Sequence, residues 1–200
     1  MRRTTVDRKS KETDIKVQLN LDGAGTASIK TGIAFLDHML TLLCTHGLFD
    51  AVIQAKGDLD IDVHHTNEDI GIVLGQAFDK ILGTRKGISR YGWAYVPMEE
   101  ALARVVLDFS GRARLIVRDA RQGVVKQPQS SRTSYQWADA EHFLESFVRT
   151  AKITLHIDIL SGSDFHHTCE AVFKALGRAL DQATRCDPRV KGVPSSKGRL

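Results

Sequence analysis

His64-His65-Thr66-Asn67-Glu68 recurs as His166-His167-Thr168-Cys169-Glu170, 102 positions further along the chain. Around these pentads, residues 64–83 and 166–185 align without gaps, and eight of the twenty positions are identical. Beyond both His, Thr and Glu, the identities are Leu74/Leu176, Gly75/Gly177, Ala77/Ala179 and Asp79/Asp181. The apolar positions keep phase too. Ile70, Val73, Leu74, Ala77, Phe78 and Ile81 map onto Val172, Ala175, Leu176, Ala179, Leu180 and Ala183. Steps of 3, 1, 3, 1 and 3 mark one apolar face of an α-helix. Each pentad therefore stands at the mouth of a helix. Thr66, with Asp69 three residues on, reads as an N-cap in a capping-box-like arrangement, and Thr168 as a cap without the reciprocal acid.

Working outward, a second helix precedes each pentad. Phe35 to Leu40 has its counterpart in Glu141 to Ser146, and His38 and His142 lie 104 residues apart. Strand-like alternation occupies Ile15–Leu21, Ala51–Ala55, Leu59–Val63, Val105–Phe109 and Ile153–Ile159. Each half then reads roughly β-β-α-β-(β)-α. The chain divides into a first half, 1–86, a second half, 87–186, and a tail, 187–200. Gly87 to Pro97 reads as the junction, and 121–137 as a long loop inserted in the second half. The tail is polar, rich in Pro, Gly and Ser and without periodicity, which by itself reads as a frayed terminus.

The composition sets limits. The chain has 200 residues, 42% of them hydrophobic and 26% charged, as in ordinary globular proteins. No run reaches the ~18 apolar residues a membrane span needs. The basic N-terminus lacks the apolar region of a secretory signal. Cys44, Cys169 and Cys186 are too few and too scattered for a disulfide framework, so the expected compartment is the reducing cytoplasm. A net charge of +4 suggests some attraction for anions. No nucleic-acid motif, P-loop or dinucleotide-binding glycine pattern is present.

The matched histidines carry the chemistry. Six histidines and two glutamates fall at repeat-equivalent addresses: His38, His64, His65 and Glu68 in one half, His142, His166, His167 and Glu170 in the other. Imidazoles with a carboxylate suit divalent transition metals. Shared between two ions, the set supplies three imidazoles and one carboxylate to each. An octahedral ion would keep two positions open, whereas a four-coordinate zinc would be filled. Adjacent histidine side chains diverge, so the two members of each pair should serve different metals. One His-His pair would more often be a capping or surface feature; two matched units are not. His46 and His156 have no matched partners: His156 reads as structural, while His46, eight residues after His38, reads equally as reaching a site or as a helix-end residue beside Gly47; Asp58, Asp60 and Asp62 read as the solvated face of a strand, with a second metal site as the alternative.

With these residues in hand, the chain resembles the imidazoleglycerol-phosphate dehydratase family of histidine biosynthesis over essentially its whole length. The most specific segments are DIDVHHTNEDIGIVLG (60–75) and GSDFHHTCEAVFK (162–174). RKSKET at 8–13, FLDHML at 35–40, ISRYG at 88–92, SGR at 110–112 and PSSKG at 194–198 support them.

The resemblance implies a duplicated α+β fold in which two four-stranded sheets enclose a helical layer. It also implies a homo-oligomer of about 24 subunits built from trimers, with two Mn²⁺ per active site between subunits. The metal ligands it implies are the same octet the repeat selects. It assigns substrate contacts to Glu12, Arg90, Arg112, Ser195, Ser196 and Lys197, so the tail becomes an ordered phosphate-binding segment. The implied reaction dehydrates imidazole glycerol phosphate to imidazole acetol phosphate, through an imidazolate held between two metals and a diazafulvene-like intermediate. Glu12, Glu68 and Glu170 are the candidate proton carriers, with Glu12 preferred because the other two are spent as ligands. Two rival readings stand beside this one: a dinuclear metallohydrolase, and a non-catalytic metal-binding or metal-sensing protein. No partner nucleic acid or membrane is expected.

Overall fold

Strand alternation sets the first sheet. In a computed structural model describing residues 2–120 and 133–200, Thr13, Ile15, Val17 and Leu19 are buried, while Asp14, Lys16 and Gln18 face outward. One face of the strand thus meets the helices and the other meets solvent.

The first half runs β1 (Arg3–Lys9), β2 (Thr13–Asn20), β3 (Ala27–Lys30), α1 (Ala34–Gly47), β4 (Asp50–Gly57) and α2 (His64–Leu82). The second runs β5 (Tyr91–Met98), β6 (Ala101–Asp108), β7 (Arg114–Asp119), α3 (Trp137–Ala151), β8 (Thr154–Ser161) and α4 (Phe165–Thr184). The sheets have the orders β1-β2-β4-β3 and β5-β6-β8-β7, the same topology twice. In each, the last pair is parallel and the others antiparallel. The fold is an internally duplicated α+β arrangement, two four-stranded sheets enclosing four helices among the described residues.

The helices pair across the halves. α1 packs on α4, and α2 on α3. Two glycines shared by the repeat allow this close approach. A Cβ at Gly75 would stand 2.5 Å from Phe147 O and 2.8 Å from Ala151 N, both backbone atoms of α3. A Cβ at Gly177 would collide with Leu43 O of α1. Around these crossings Leu40, Leu43, Phe78, Phe143, Phe147, Leu176 and Leu180 are fully buried, each worth about 1.5–3 kcal/mol of transfer from water.

Several sequence expectations are corrected. Residues 59–63 are not a strand. Ile61 N donates to Asp58 O (2.9 Å) and His64 N to Asp62 Oδ1 (2.7 Å), which turns the chain into α2. Asp58, Asp60 and Asp62 therefore share no strand face. Thr66 is not a cap, since it lies inside α2 with its hydroxyl buried. In α4 the cap is Asp164, whose side chain accepts from His167 N (3.0 Å), while Thr168 Oγ1 donates back to Asp164 O (2.8 Å). Asp62 and Asp164 stand 102 residues apart, so the acid that opens each helix belongs to the repeat, just upstream of the pentads.

Gly87 to Pro97 is not simply a junction, because β5 occupies most of it. Its pattern is inverted: small Gly92 and Ala94 face α4, while Tyr91, Trp93 and Tyr95 point out. A Cβ at Gly92 would run into Ala179 O, so no larger residue fits inside. The basic segment at 3–9 forms edge strand β1. The inserted loop expected at 121–137 falls largely on 121–132, outside the described residues, and its last residue, Trp137, opens α3.

Candidate active site

Spacing of i and i+4 puts two side chains on one face of a helix. His64 and Glu68 are so placed on α2, as are His166 and Glu170 on α4. The cross-half crossings then deliver a third residue to each pair. His142 on α3 joins His64 and Glu68, and His38 on α1 joins His166 and Glu170. In each set the candidate ligand atoms lie within 4.8 Å of one another. Glu170 Oε1 is 2.9 Å from both His38 Nε2 and His166 Nε2. The His64 and His142 rings stack at 4.2 Å. Two imidazoles and one carboxylate, converging on one point, fit a divalent transition ion.

Each carboxylate is held by a cation. Lys174 Nζ lies 2.5 Å from Glu170 Oε2, and Arg149 Nη2 lies 2.8 Å from Glu68 Oε1. Burial pushes the Glu170 carboxyl up, but hydrogen bonds from Lys174, His38 and His166 outweigh it and hold the group at about 2. For Glu68 the Arg149 hydrogen bond leads, ahead of opposing burial, and the carboxyl sits below its ordinary range. Both are ready as anionic ligands.

His65 and His167, the other members of the octet, are not in these triads. His65 Nδ1 faces Asp58 Oδ2 at 2.9 Å, with Glu12 Oε2 at 3.9 Å. His167 Nδ1 faces Glu100 Oε2 at 2.8 Å, with Glu99 Oε2 at 3.9 Å. Each stands one residue on from a triad histidine, a turn of about 100° around the helix, so the pairs do diverge. Hydrogen bonds donated to Asp58 and Glu100 respectively raise the affinity of the two rings for a proton, against some desolvation.

A cleft of about 1160 Å³ opens over the His38 triad, lined by Phe35, His38, Tyr135, Phe165, His166 and His167 among others. Phe35 stacks on Phe165 at 5.3 Å and meets the His166 ring edge-on at 5.4 Å, which limits that imidazole's rotation.

The candidate phosphate residues gather around the tail. Arg90 grips Asp108 with two hydrogen bonds, of 2.6 and 3.0 Å, and donates a third to Pro194 O at 2.7 Å. Gly87 N donates to Gly192 O at 3.0 Å, and Lys197 N to Ser195 Oγ at 3.2 Å. A Cβ at Gly111, beside Arg112, would meet the Leu200 carbonyl carbon at 2.5 Å. Residues 192–200 are thus tied both to the Arg90 strand and to the Arg112 turn. Ser196, Lys197 and Arg112 are exposed and Ser195 is half-buried.

His46 closes α1, and burial, then Lys174 and Arg178, lower its proton affinity. His156 lies between Val106 and Ile116 across the second sheet. The sequence reading placed Asp58 on a strand face rather than beside His65, and missed Glu100, Asp108, Arg149 and Lys174. Of these only Lys174 carried a signal, four residues after Glu170.

The duplicated fold, with a His/His/Glu cluster at each cross-half helix crossing, defines a two-centre, histidine-rich enzyme scaffold. The family model described as imidazoleglycerol-phosphate dehydratase matches residues 31–180. The chain is 51% identical over 204 residues to the imidazoleglycerol-phosphate dehydratase of Thermoanaerobacter pseudethanolicus, covering all of both chains. It is 50% identical over 200 residues to that of Bacillus subtilis, again covering all of both. Among solved structures, the dehydratase of Pyrococcus furiosus, in complex with (S)-C348, superposes with a TM-score of 0.77 at 36% identity, covering 98% of this chain and 100% of that one. The Staphylococcus aureus enzyme gives 0.78 at 35% identity, covering 92% and 100%. The chain belongs to the imidazoleglycerol-phosphate dehydratase family, and so to the hydro-lyases of histidine biosynthesis.

Proposed function

We propose that the chain dehydrates imidazole glycerol phosphate to imidazole acetol phosphate and water with two Mn²⁺ per active site. It acts in the cytoplasm, as a homo-oligomer of about 24 subunits built from trimers, with active sites between subunits. One observation carries the metal reading: two clusters of two imidazoles and a carboxylate converge at helix crossings, while a further histidine beside each faces elsewhere. In this reading His65 and His167 complete the coordination sets of neighbouring subunits, giving three imidazoles and one carboxylate per ion. Among the described residues Cys44, Cys169 and Cys186 form no disulfide, in keeping with a reducing compartment.

His38, His64, His65, Glu68, His142, His166, His167 and Glu170 would hold the metals, which would supply Lewis acidity favouring loss of the substrate ring's N–H proton, so that the neighbouring hydroxyl could leave with that proton as water. The chain's own residues do the rest. Lys197, Arg112, Ser195 and Ser196 hold the phosphate, and Arg90 shapes that subsite. Three of the five guanidinium N–H groups of Arg90 go to Asp108 and Pro194 O, leaving two for the phosphate. This remote grip orients the reacting end. Glu12, exposed beside His65, takes the carbon-bound proton next to the expelled hydroxyl, giving an enol that becomes the ketone. Glu68 and Glu170, each paired with a cation, stay ionised as ligands.

The test is anaerobically prepared enzyme with Mn²⁺ and imidazole glycerol phosphate. The expected product is a ketone that retains its phosphate. Released inorganic phosphate would indicate a hydrolase, and no turnover with fully loaded metal would indicate a metal-binding protein.

A further inference from the structure

His65 and His167 are held alike, but by unrelated parts of the chain. A carboxylate can only accept, so the contacts at 2.9 Å and 2.8 Å put the hydrogen of each neutral ring on Nδ1. Nε2 is then left with the free lone pair. Asp58 follows β4 within the first half, whereas Glu100 belongs to the β5–β6 hairpin. Asp58 lies in the loop between β4 and α2, and the matching loop between β8 and α4, residues 162–164, is shorter and does not supply the carboxylate that meets His167. The two halves therefore reach the same contact by separate routes.

Both carboxylates are committed. Glu100 Oε1 accepts from Ser163 N (3.0 Å), Asp164 N (2.9 Å) and Ser163 Oγ (3.3 Å), so only Oε2 is left to the histidine. Asp58 Oδ1 is buried with no hydrogen-bond partner among the described residues. An orphaned buried oxygen costs free energy, and the fold tolerates it while Oδ2 holds His65.

We propose that Asp58 and Glu100 are positioning residues that fix the Nδ1–H tautomer of His65 and His167 and present Nε2 to a divalent metal ion. This rests on the metal reading of those two histidines given above. A carboxylate behind a ligating imidazole fixes the ring's orientation and raises its basicity, and losing it typically weakens metal binding about 10–100-fold.

The experiment titrates the intact, metal-stripped assembly with Mn²⁺, following free Mn²⁺ by electron paramagnetic resonance. It compares Asp58→Ala, Glu100→Ala, Asp58→Asn and Glu100→Gln with His65→Ala and His167→Ala. Histidine-labelled apo protein is read in parallel by ¹⁵N NMR. The alanine variants should raise Kd about 10–100-fold and lose the single Nδ1–H tautomer. The amide variants keep an accepting oxygen and the side-chain volume, so they should fold as wild type and lose under tenfold. Wild-type Kd in both acid-to-alanine variants, with binding weakened in the histidine variants, overturns the positioning role. A Glu100→Gln variant as damaged as Glu100→Ala overturns it in favour of direct ligation by Glu100. Unchanged binding in His65→Ala and His167→Ala overturns the metal reading itself, and the proposal with it.

Discussion

Alanine at Gly75 or Gly177 should damage the proposed metal centres more than the fold. At Gly75 the new Cβ would sit 2.5 Å from Phe147 O and 2.8 Å from Ala151 N, where ordinary contact begins at 3.4 Å. These obstacles are helix backbone, so no rotamer change relieves them, and α3 must move off α2 by about 1 Å. Overpacking of this kind costs about 1–3 kcal/mol, and the better helix propensity of alanine returns about 1. The net loss of about 0–2 kcal/mol lowers Tm by at most about 8 °C in a chain of this size.

The site is less forgiving. His142 rides on α3, and His64 and Glu68 on α2, whereas metal–ligand distances tolerate only about 0.2 Å. Gly75→Ala should therefore weaken one Mn²⁺ site tenfold or more. Gly177→Ala should do the same to the site of His38, His166 and Glu170. Thermal melting and a Mn²⁺ titration check both, with Gly192→Ala as control, since a Cβ there meets nothing within 4 Å. Wild-type Mn²⁺ affinity in both variants would refute the link between helix spacing and ligand geometry.

Other expectations concern the reaction and stability. Glu12→Gln should cut kcat by about 10²–10⁴-fold without changing Mn²⁺ content, and wild-type turnover would remove Glu12 as the proton carrier. Lys197→Ala should chiefly raise KM, and Asp108→Asn, which loosens Arg90 and with it the tail at Pro194, should raise KM too; steady-state kinetics with unchanged KM in both would detach the tail from the phosphate. Hydrogen bonds from the Ala24 and Thr26 backbone hold the Asp50 carboxyl below its ordinary value. Its contribution to stability is thus full above the unfolded pKa of about 3.9 and fades as pH falls through the lower folded value. Asp50→Asn should lower Tm at pH 6 and converge on wild type near pH 2; a constant Tm difference across that range would contradict the assignment.

The parts of the fold that were legible are those whose burial follows a simple period. α2 and α4 announced themselves because one face is apolar at helical spacing, and β2 because it alternates. β5 stayed hidden because α4 lies so close that only Gly92 and Ala94 fit beneath it, which sends Tyr91, Trp93 and Tyr95 outward. β1 stayed hidden because an edge strand with few apolar residues has little hydrophobic pattern to read. The candidate ligands were legible from the repeat, but their grouping was not. Grouping depends on which helices cross, and the one clue was a glycine shared by both halves, seen as an identity rather than as a contact. The contacts of Asp58 and Glu100 with their histidines were not legible because they are made through loops whose path no local pattern reports.

The crossing of helices between halves also binds the history of the two copies. Each cluster takes a His/Glu pair from one copy and its third donor from the other. A fragment ending at Leu82, or one beginning at Tyr91, would carry a His/Glu pair and a stray histidine but neither His/His/Glu cluster. Neither copy could therefore drift into a new chemistry while the other kept the old one. At the clusters, a shift of α1 bears on α4, and one of α3 on α2. The duplication that usually frees a second copy to diverge has here yoked the two together.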